Sequence, residues 1–280
     1  DVPFEIQDES FWRQFRAATK LPNSDAYLVG EIPSEAQDWL QGDMFDGVMN
    51  YQFTAACVGF FGAGSRDEAM ISGMMGLPEV PSLDAAGFAR RTKELLEIYP
   101  RQNALAQLNL MDSHDMPRFL SMVSGNKDAF RLATLFQMTY PGAPCIYYGN
   151  EIGMMGGREP ENRAPFPWDE SRWDHDLRNW FKTFAHIRRE HQVLRTGEYV
   201  PVFAENRQLL VLRHLEGVRM LIAFNADGGE WELNIPVREH FKDGVAFEDL
   251  LGGEGAIVEE GHLRRGRLGP WEGAIFMQER

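Results

Sequence analysis

The stretch Ala104-Leu105-Ala106-Gln107-Leu108-Asn109-Leu110-Met111 runs apolar and then stops in Asp112-Ser113-His114-Asp115. A short apolar run that ends abruptly in acids reads as a buried strand delivering polar side chains to its C-terminal end. Three further stretches repeat the pattern. Ala26-Tyr27-Leu28-Val29-Gly30 ends in Glu31, residues 45–51 contain Val48-Met49, and Cys145-Ile146-Tyr147-Tyr148 ends in Gly149-Asn150-Glu151. Between these strands lie helix-like segments at residues 10–20, 83–98, 127–138 and 174–191. In the second of them Phe88, Leu95 and Leu96 recur near helical spacing, and Asp84 is a start signal. Strand–helix alternation with continuous apolar strands predicts an α/β fold whose parallel sheet is covered by helices.

Two features favour a barrel over an open doubly wound sheet. No strand is followed by a G-x-G-x-x-G phosphate fingerprint. Polar and acidic residues instead recur directly after the strands, at Glu31, His114-Asp115 and Asn150-Glu151, positions that converge on the C-terminal rim of a parallel barrel. Four strands are found, or five if Asp1 marks the end of another, whereas a closed (β/α)8 barrel has eight. The expectation for residues 1–195 is therefore the C-terminal half of a TIM barrel.

The texture changes near Leu194-Arg195-Thr196-Gly197. Beyond it, short alternating runs at 209–213, 219–224, 231–235, 245–249 and 274–277 are punctuated by glycine-rich turns, including Gly252-Gly253-Glu254-Gly255. Residues 196–280 are predicted to form an antiparallel β-sandwich domain.

Composition narrows the partners. The 280 residues carry 28 basic and 42 acidic side chains, a net charge of −14, which argues against nucleic acid or an anionic membrane surface as partner. No apolar run approaches the roughly 18 residues of a membrane span. The two cysteines, Cys57 and Cys145, sit in apolar contexts and read as buried free thiols, which points to the cytoplasm. They have no zinc spacing, so no metal or other cofactor is predicted.

Asp-Val-Pro-Phe-Glu-Ile at residues 1–6, Tyr-Leu-Val-Gly-Glu-Ile at 27–32 and Leu-Met-Asp-Ser-His-Asp-Met-Pro-Arg-Phe at 110–119 resemble the second, third and fourth signature regions of the α-amylase family of glycoside hydrolases. The stretch from Trp39 to Tyr51 and the segment Tyr148-Gly149-Asn150-Glu151-Ile152-Gly153-Met154 are similar to its cyclomaltodextrinase, neopullulanase and maltogenic amylase branch. The resemblance implies a retaining glycosidase cleaving α-1,4 bonds, with α-1,6 bonds a further candidate, in maltodextrins, cyclodextrins or related α-glucans. A transglycosylase or isomerase of the same family, and an inactive fragment, are the alternatives. The implied roles are Asp1 as nucleophile, Glu31 as acid/base and Asp115 as transition-state stabiliser. Cleavage through an oxocarbenium-like centre explains why paired carboxylates are needed, and crowded acids raise one another's pKa, which favours a protonated Glu31.

The resemblance also assigns His114 to a sugar hydroxyl, Glu159 and Arg163 to sugars on the non-reducing side, and Glu5 to the leaving side. Each has a plainer reading: a satisfied core histidine, a solvated loop, a rim salt bridge. Arg118 divides between an ion-pair partner at a helix start and an active-site group. Trp39, Tyr51, Phe166 and Trp168 are candidate sugar platforms or core. Two departures stand out. Glu31 is followed by Ile32-Pro33-Ser34, where the branch commonly carries Trp and His, which bears on acceptor preference. The family's Gly-x-Arg-x, first signature region and strands one to three would precede Asp1. The expectation is a complementing N-terminal fragment of the same protein, or a start that follows a break or cut. Calcium, held in some family members by upstream residues, is not derivable from this portion.

Overall fold

The computed structural model describes residues 1–73 and 80–279. In chain order the first part comprises α1 (Glu9–Lys20), β1 (Val29–Gly30), β2 (Gly47–Val48), α2 (Tyr51–Phe61), α3 (Glu68–Ile71), α4 (Ala85–Glu97), α5 (Arg101–Leu105), β3 (Leu108–Leu110), α6 (Phe119–Met122), α7 (Lys127–Thr139), β4 (Ala143–Cys145), α8 (His175–Glu190) and α9 (Gln192–Thr196). Short polar side chains set the helix starts. The carboxylates or amides of Asp8, Asn50, Asp67, Asp84, Asn126 and Asp174 each accept a hydrogen bond from a first-turn backbone N–H.

The four short strands are parallel and lie in chain order. β1 pairs with β2 through Val29–Gly47 and Gly30–Val48, Met49 bridges to Leu108, and β3 pairs with β4 from Leu108–Ala143 to Leu110–Cys145. Sequential parallel order without a reversal is the arrangement of a (β/α)8 barrel, whereas a doubly wound sheet switches direction. The four strands make a half-barrel arc. Among the described residues β1 and β4 each have one unpaired edge, and Val29 and Ile146 at these flanks are exposed.

The paired segments are shorter than the sequence suggests. The apolar run 104–111 begins inside α5, and only Leu108–Leu110 pairs. The run 45–51 ends in α2, because Asn50 caps that helix by accepting from the Phe53 N–H at 3.1 Å. In the fourth run, pairing ends at Cys145.

The second part contains β5 (Glu198–Glu205), β6 (Gln208–Leu215), β7 (Val218–Asn225), β8 (Trp231–Pro236), β9 (Ala246–Asp249), β10 (Ala256–Glu259), β11 (His262–Leu268) and β12 (Gly273–Gln278). They form one antiparallel sheet in the order β5-β6-β7-β12-β9-β10-β11-β8. The two edge strands meet face to face: Phe203 of β5 stacks on Trp231 of β8 with ring centroids 5.8 Å apart. The layers of this β domain are thus the two sides of a single sheet rolled nearly into a barrel.

The pleat explains the packing. Leu210, Leu212, Leu221, Ala223, Ala274 and Phe276 fill the interior of the rolled sheet. Their neighbours Leu209, Val211, Met220, Ile222, Phe224 and Ile275 point the other way, into the core made by the barrel helices. β6, β7 and β12 are therefore apolar on both faces, while β8 alternates buried Trp231, Leu233 and Ile235 with exposed residues. No helix among the described residues is long and apolar enough to cross a membrane.

Candidate active site

Glu31 follows β1 directly and is buried. Its Oε2 accepts from the Val2 N–H at 3.3 Å, and its Oε1 accepts from the Tyr51 hydroxyl at 3.3 Å. The Val2 contact brings the Asp1–Val2 peptide onto the acid, with Asp1 itself exposed at the rim. Tyr51 opens α2 just beyond β2 and is fully buried. Burial, reinforced by the charges of Glu31 and Asp115, pushes its phenol well above the usual range, so it remains a donor.

Asp115 stands in the turn after β3. Its backbone N–H donates to Ser113 Oγ at 3.1 Å. One carboxylate oxygen meets Arg163 Nη2 at 2.7 Å, and the other lies 3.2 Å from His114 Nε2. Arg163 also donates from Nε to the His114 carbonyl at 2.8 Å, and its Nη1 lies 3.5 Å from Glu159. Asn162 donates to the carbonyls of His114 (2.6 Å) and Met116 (2.9 Å), which ties the loop after β4 to the loop after β3.

Glu31, His114 and Asp115 each offer one ligand atom, all within 4.8 Å of one another. Such a set could hold a cation. Each of the three nonetheless has protein partners: Val2 and Tyr51 on Glu31, and Arg163 with His114 on Asp115.

Asp112 lies below this layer, fully buried. Its carboxylate accepts from the Phe119 N–H at 2.6 Å and from Asn150 Nδ2 at 2.7 Å. Burial nevertheless pushes it up to about 6, against the lowering by those two bonds and by the Arg118 charge. Arg118 is also fully buried. It donates to the Tyr148 carbonyl at 2.7 Å and lies over the rings of Tyr147 and Tyr148 at 4.6 and 4.8 Å. That environment makes it an internal brace between the loops after β3 and β4.

Glu31, Asp115, His114, Arg163 and Glu159 therefore come together on one rim, with the peptide after Asp1 beside them. Glu5 does not join by contact: it is exposed on the 3-10 turn Pro3–Glu5, and its carboxylate has no hydrogen bond or ion pair among the described residues. Trp39 packs against Trp12 and Phe45 in a satellite core, and Phe166 packs against Trp168 and Trp173, leaving Trp168 83% exposed. Tyr51, weighed in the sequence only as an aromatic face, reaches the site through its hydroxyl; its place within a few residues of a strand's C-terminal end, like Glu31 and Asp115, is the signal for it.

The Alpha amylase, catalytic domain family model matches residues 5–216. The chain belongs to the α-amylase family. Among relatives of this α-amylase-family chain, a cyclomaltodextrinase from Bacillus sp is 40% identical over 229 residues, covering 81% of this chain and 38% of the relative. Neopullulanase 2 from Thermoactinomyces vulgaris is 35% identical over 282 residues, covering 100% and 45%. The solved structure of Ttha1563 from Thermus thermophilus superposes with a TM-score of 0.94 at 40% identity, covering 100% of this chain and 58% of that one. This α-amylase-family chain thus spans between about two fifths and three fifths of these proteins' lengths.

Proposed function

We propose that the protein is a retaining glycoside hydrolase acting on α-1,4 bonds, and on α-1,6 bonds where presented, in maltodextrins, cyclodextrins or related α-glucans. The observation that carries this reading is the convergence of Glu31, Asp115 and the Asp1–Val2 peptide on one barrel rim. In the proposed reaction the Asp1 carboxylate attacks the anomeric carbon while Glu31 protonates the leaving oxygen. Water, activated by the same Glu31, then releases the sugar from Asp1; retention requires the two carboxyl groups to stand about 5–5.5 Å apart. Asp115, oriented by Arg163, stabilises the positive charge on the sugar ring. His114 contacts a hydroxyl, Glu159 and Arg163 meet the non-reducing side, and Glu5 is assigned to the leaving side by its motif position.

The half-barrel arc leaves two sheet edges and part of its inner surface uncovered, which is costly for an isolated domain. The reading therefore includes four further strands supplied by an N-terminal part of the same protein. Cys57 and Cys145 are both free, which supports a reducing compartment, the cytoplasm.

The test is turnover of maltotriose and cyclodextrin by the full-length protein, with the anomer of the first product followed by proton NMR. The α-anomer is expected first, and Glu31→Gln is expected to lower turnover by orders of magnitude with binding largely intact. A β-anomer as first product would refute retention. Near-parental activity of Glu31→Gln would remove Glu31 from its role.

A further inference from the structure

Away from the rim, a groove runs along the junction of α7, α8 and the turn preceding β12. Two adjoining cavities of about 250 and 270 Å3 form it, and both are lined by Arg131, Trp180 and Leu251. Trp180 of α8 and Trp271 of the β12 turn contribute indole rings, while Asp128, Asn179 and Glu272 bring polar groups. None of these residues contacts Glu31 or Asp115 in the hydrogen-bond and ion-pair networks described above.

Three details mark the groove as built. Trp271 has a φ of 53°, a left-handed conformation that a bulky side chain rarely adopts. A Cβ at Gly273 would collide with Leu135 and approach Leu132 to 3.1 Å, so glycine lets β12 lie directly on α7 and holds the Trp271 turn against that helix. Arg131 lies over the Trp180 ring at 5.8 Å and 3.7 Å from Asp128, so its guanidinium is set at the junction shared by the two cavities.

We propose that this groove is a second carbohydrate-binding site, holding a stretch of α-glucan chain apart from the acids on the rim. The inference rests on the α-glucan reading of the active site. Sugar rings present apolar C–H faces that pack on indoles, and their hydroxyls both donate to the carboxylates of Asp128 and Glu272 and accept from Arg131 and Asn179. The net charge of −14 disfavours an anionic ligand, and the indoles with polar groups beside them match a neutral sugar chain.

The experiment compares the full-length protein with Trp271→Asn, which tolerates the positive φ while removing the ring, and with Glu272→Gln, which removes the charge but keeps an oxygen for the Gly269 N–H and leaves Asp249 beside the buried Arg265. Soluble starch and maltotriose are the substrates, and retention in a starch-containing native gel is the independent readout. Trp271→Asn is expected to raise KM for starch about tenfold and to weaken gel retention, with kcat and KM for maltotriose unchanged. Glu272→Gln is expected to move in the same direction by a smaller factor. Unchanged starch KM and retention in both variants would overturn the proposal, as would an equal loss on maltotriose. If the parental protein turns over neither substrate, the active-site reading fails, while loss of gel retention in Trp271→Asn still upholds the groove.

Discussion

Asp112 sets up a pH dependence that can be worked from its surroundings. Its carboxyl is fully buried and pushed up to about 6, against about 3.8 in the unfolded chain. Between those values the folded protein binds a proton that the unfolded chain has lost. Stability contributed by this group is therefore fully present below about pH 4 and declines as pH rises toward 6 and beyond. With one pKa unit worth 1.36 kcal/mol, the loss is about 3 kcal/mol. Asp112→Asn keeps the shape and an oxygen to accept from the Phe119 N–H, but cannot ionise. Other titrating groups are common to both proteins, so the difference between their stability curves isolates Asp112. Urea unfolding from pH 4 to 7 should show Asp112→Asn gaining on the parent by about 2.4 kcal/mol as pH rises, since part of the loss has already occurred by pH 4. A flat difference would refute the burial argument. A difference of opposite sign would mean that the Arg118 charge outweighs desolvation and holds the carboxyl below its ordinary value.

Two predictions concern the rim. Tyr51→Phe keeps the buried ring but removes the donor 3.3 Å from Glu31, so kcat/KM for maltotriose should fall roughly tenfold with the unfolding temperature little changed; parental kcat/KM would show that the hydroxyl is idle. Arg163→Ala frees Asp115 and uncouples the loop after β4 from the His114 carbonyl, and should cost roughly 10- to 100-fold in kcat/KM. Arg163→Lys should not restore it, because a single ammonium cannot reproduce the fork that spans Asp115 and the carbonyl.

The acids of the site were legible because a parallel sheet leaves few places for a strand to deliver a carboxylate. Glu31 follows its apolar run directly and Asp115 closes the polar turn Asp112-Ser113-His114-Asp115 after another, and the motif matches single them out from the other acids. Element boundaries were less legible where burial erases periodicity. α2 is a case: nine of its eleven residues are buried, so no polar face alternates with an apolar one, and the run from Val48 to Phe61 is mostly apolar, broken only by Asn50, Gln52 and Thr54 near its start. The capping amide of Asn50 marks where strand gives way to helix, and that signal is a single side chain. The buried arginines were hidden for the opposite reason. Arg118, Arg188 and Arg213 look like surface residues by type, yet each is buried and donates to backbone carbonyls at loop or helix ends. Their partners lie up to 74 residues away, as for Arg213 and Thr139, so no local pattern announces them.

Strands of two or three residues cannot by themselves hold carboxylates in a fixed relation, so the rim must be braced from outside. The bracing comes through α2, α4 and α7. Phe53, Phe60, Phe61, Phe88 and Phe136 interlock between these helices, and Phe61 and Phe136 continue the contact to Phe224 of β7 at 6.2 and 5.7 Å. Polar clamps follow the same path. Thr92 of α4 and Tyr199 of β5 share a hydrogen bond of 2.9 Å, Arg207 donates to the carbonyls of Phe60 and Leu83, and Arg213 of β6 donates to Thr139 at the end of α7 and to Val193 and Leu194 of α9. Two of the helices that touch the rolled sheet also lead back to the rim: α2 begins with Tyr51, and α7 buries Gln137, whose amide donates to the backbone of β3 and β4 at Asn109 and Cys145. The rolled sheet is therefore part of the scaffold that fixes Glu31 against Asp115, since loosening its contact with α2 and α7 would release the two strands and the tyrosine that frame the acids.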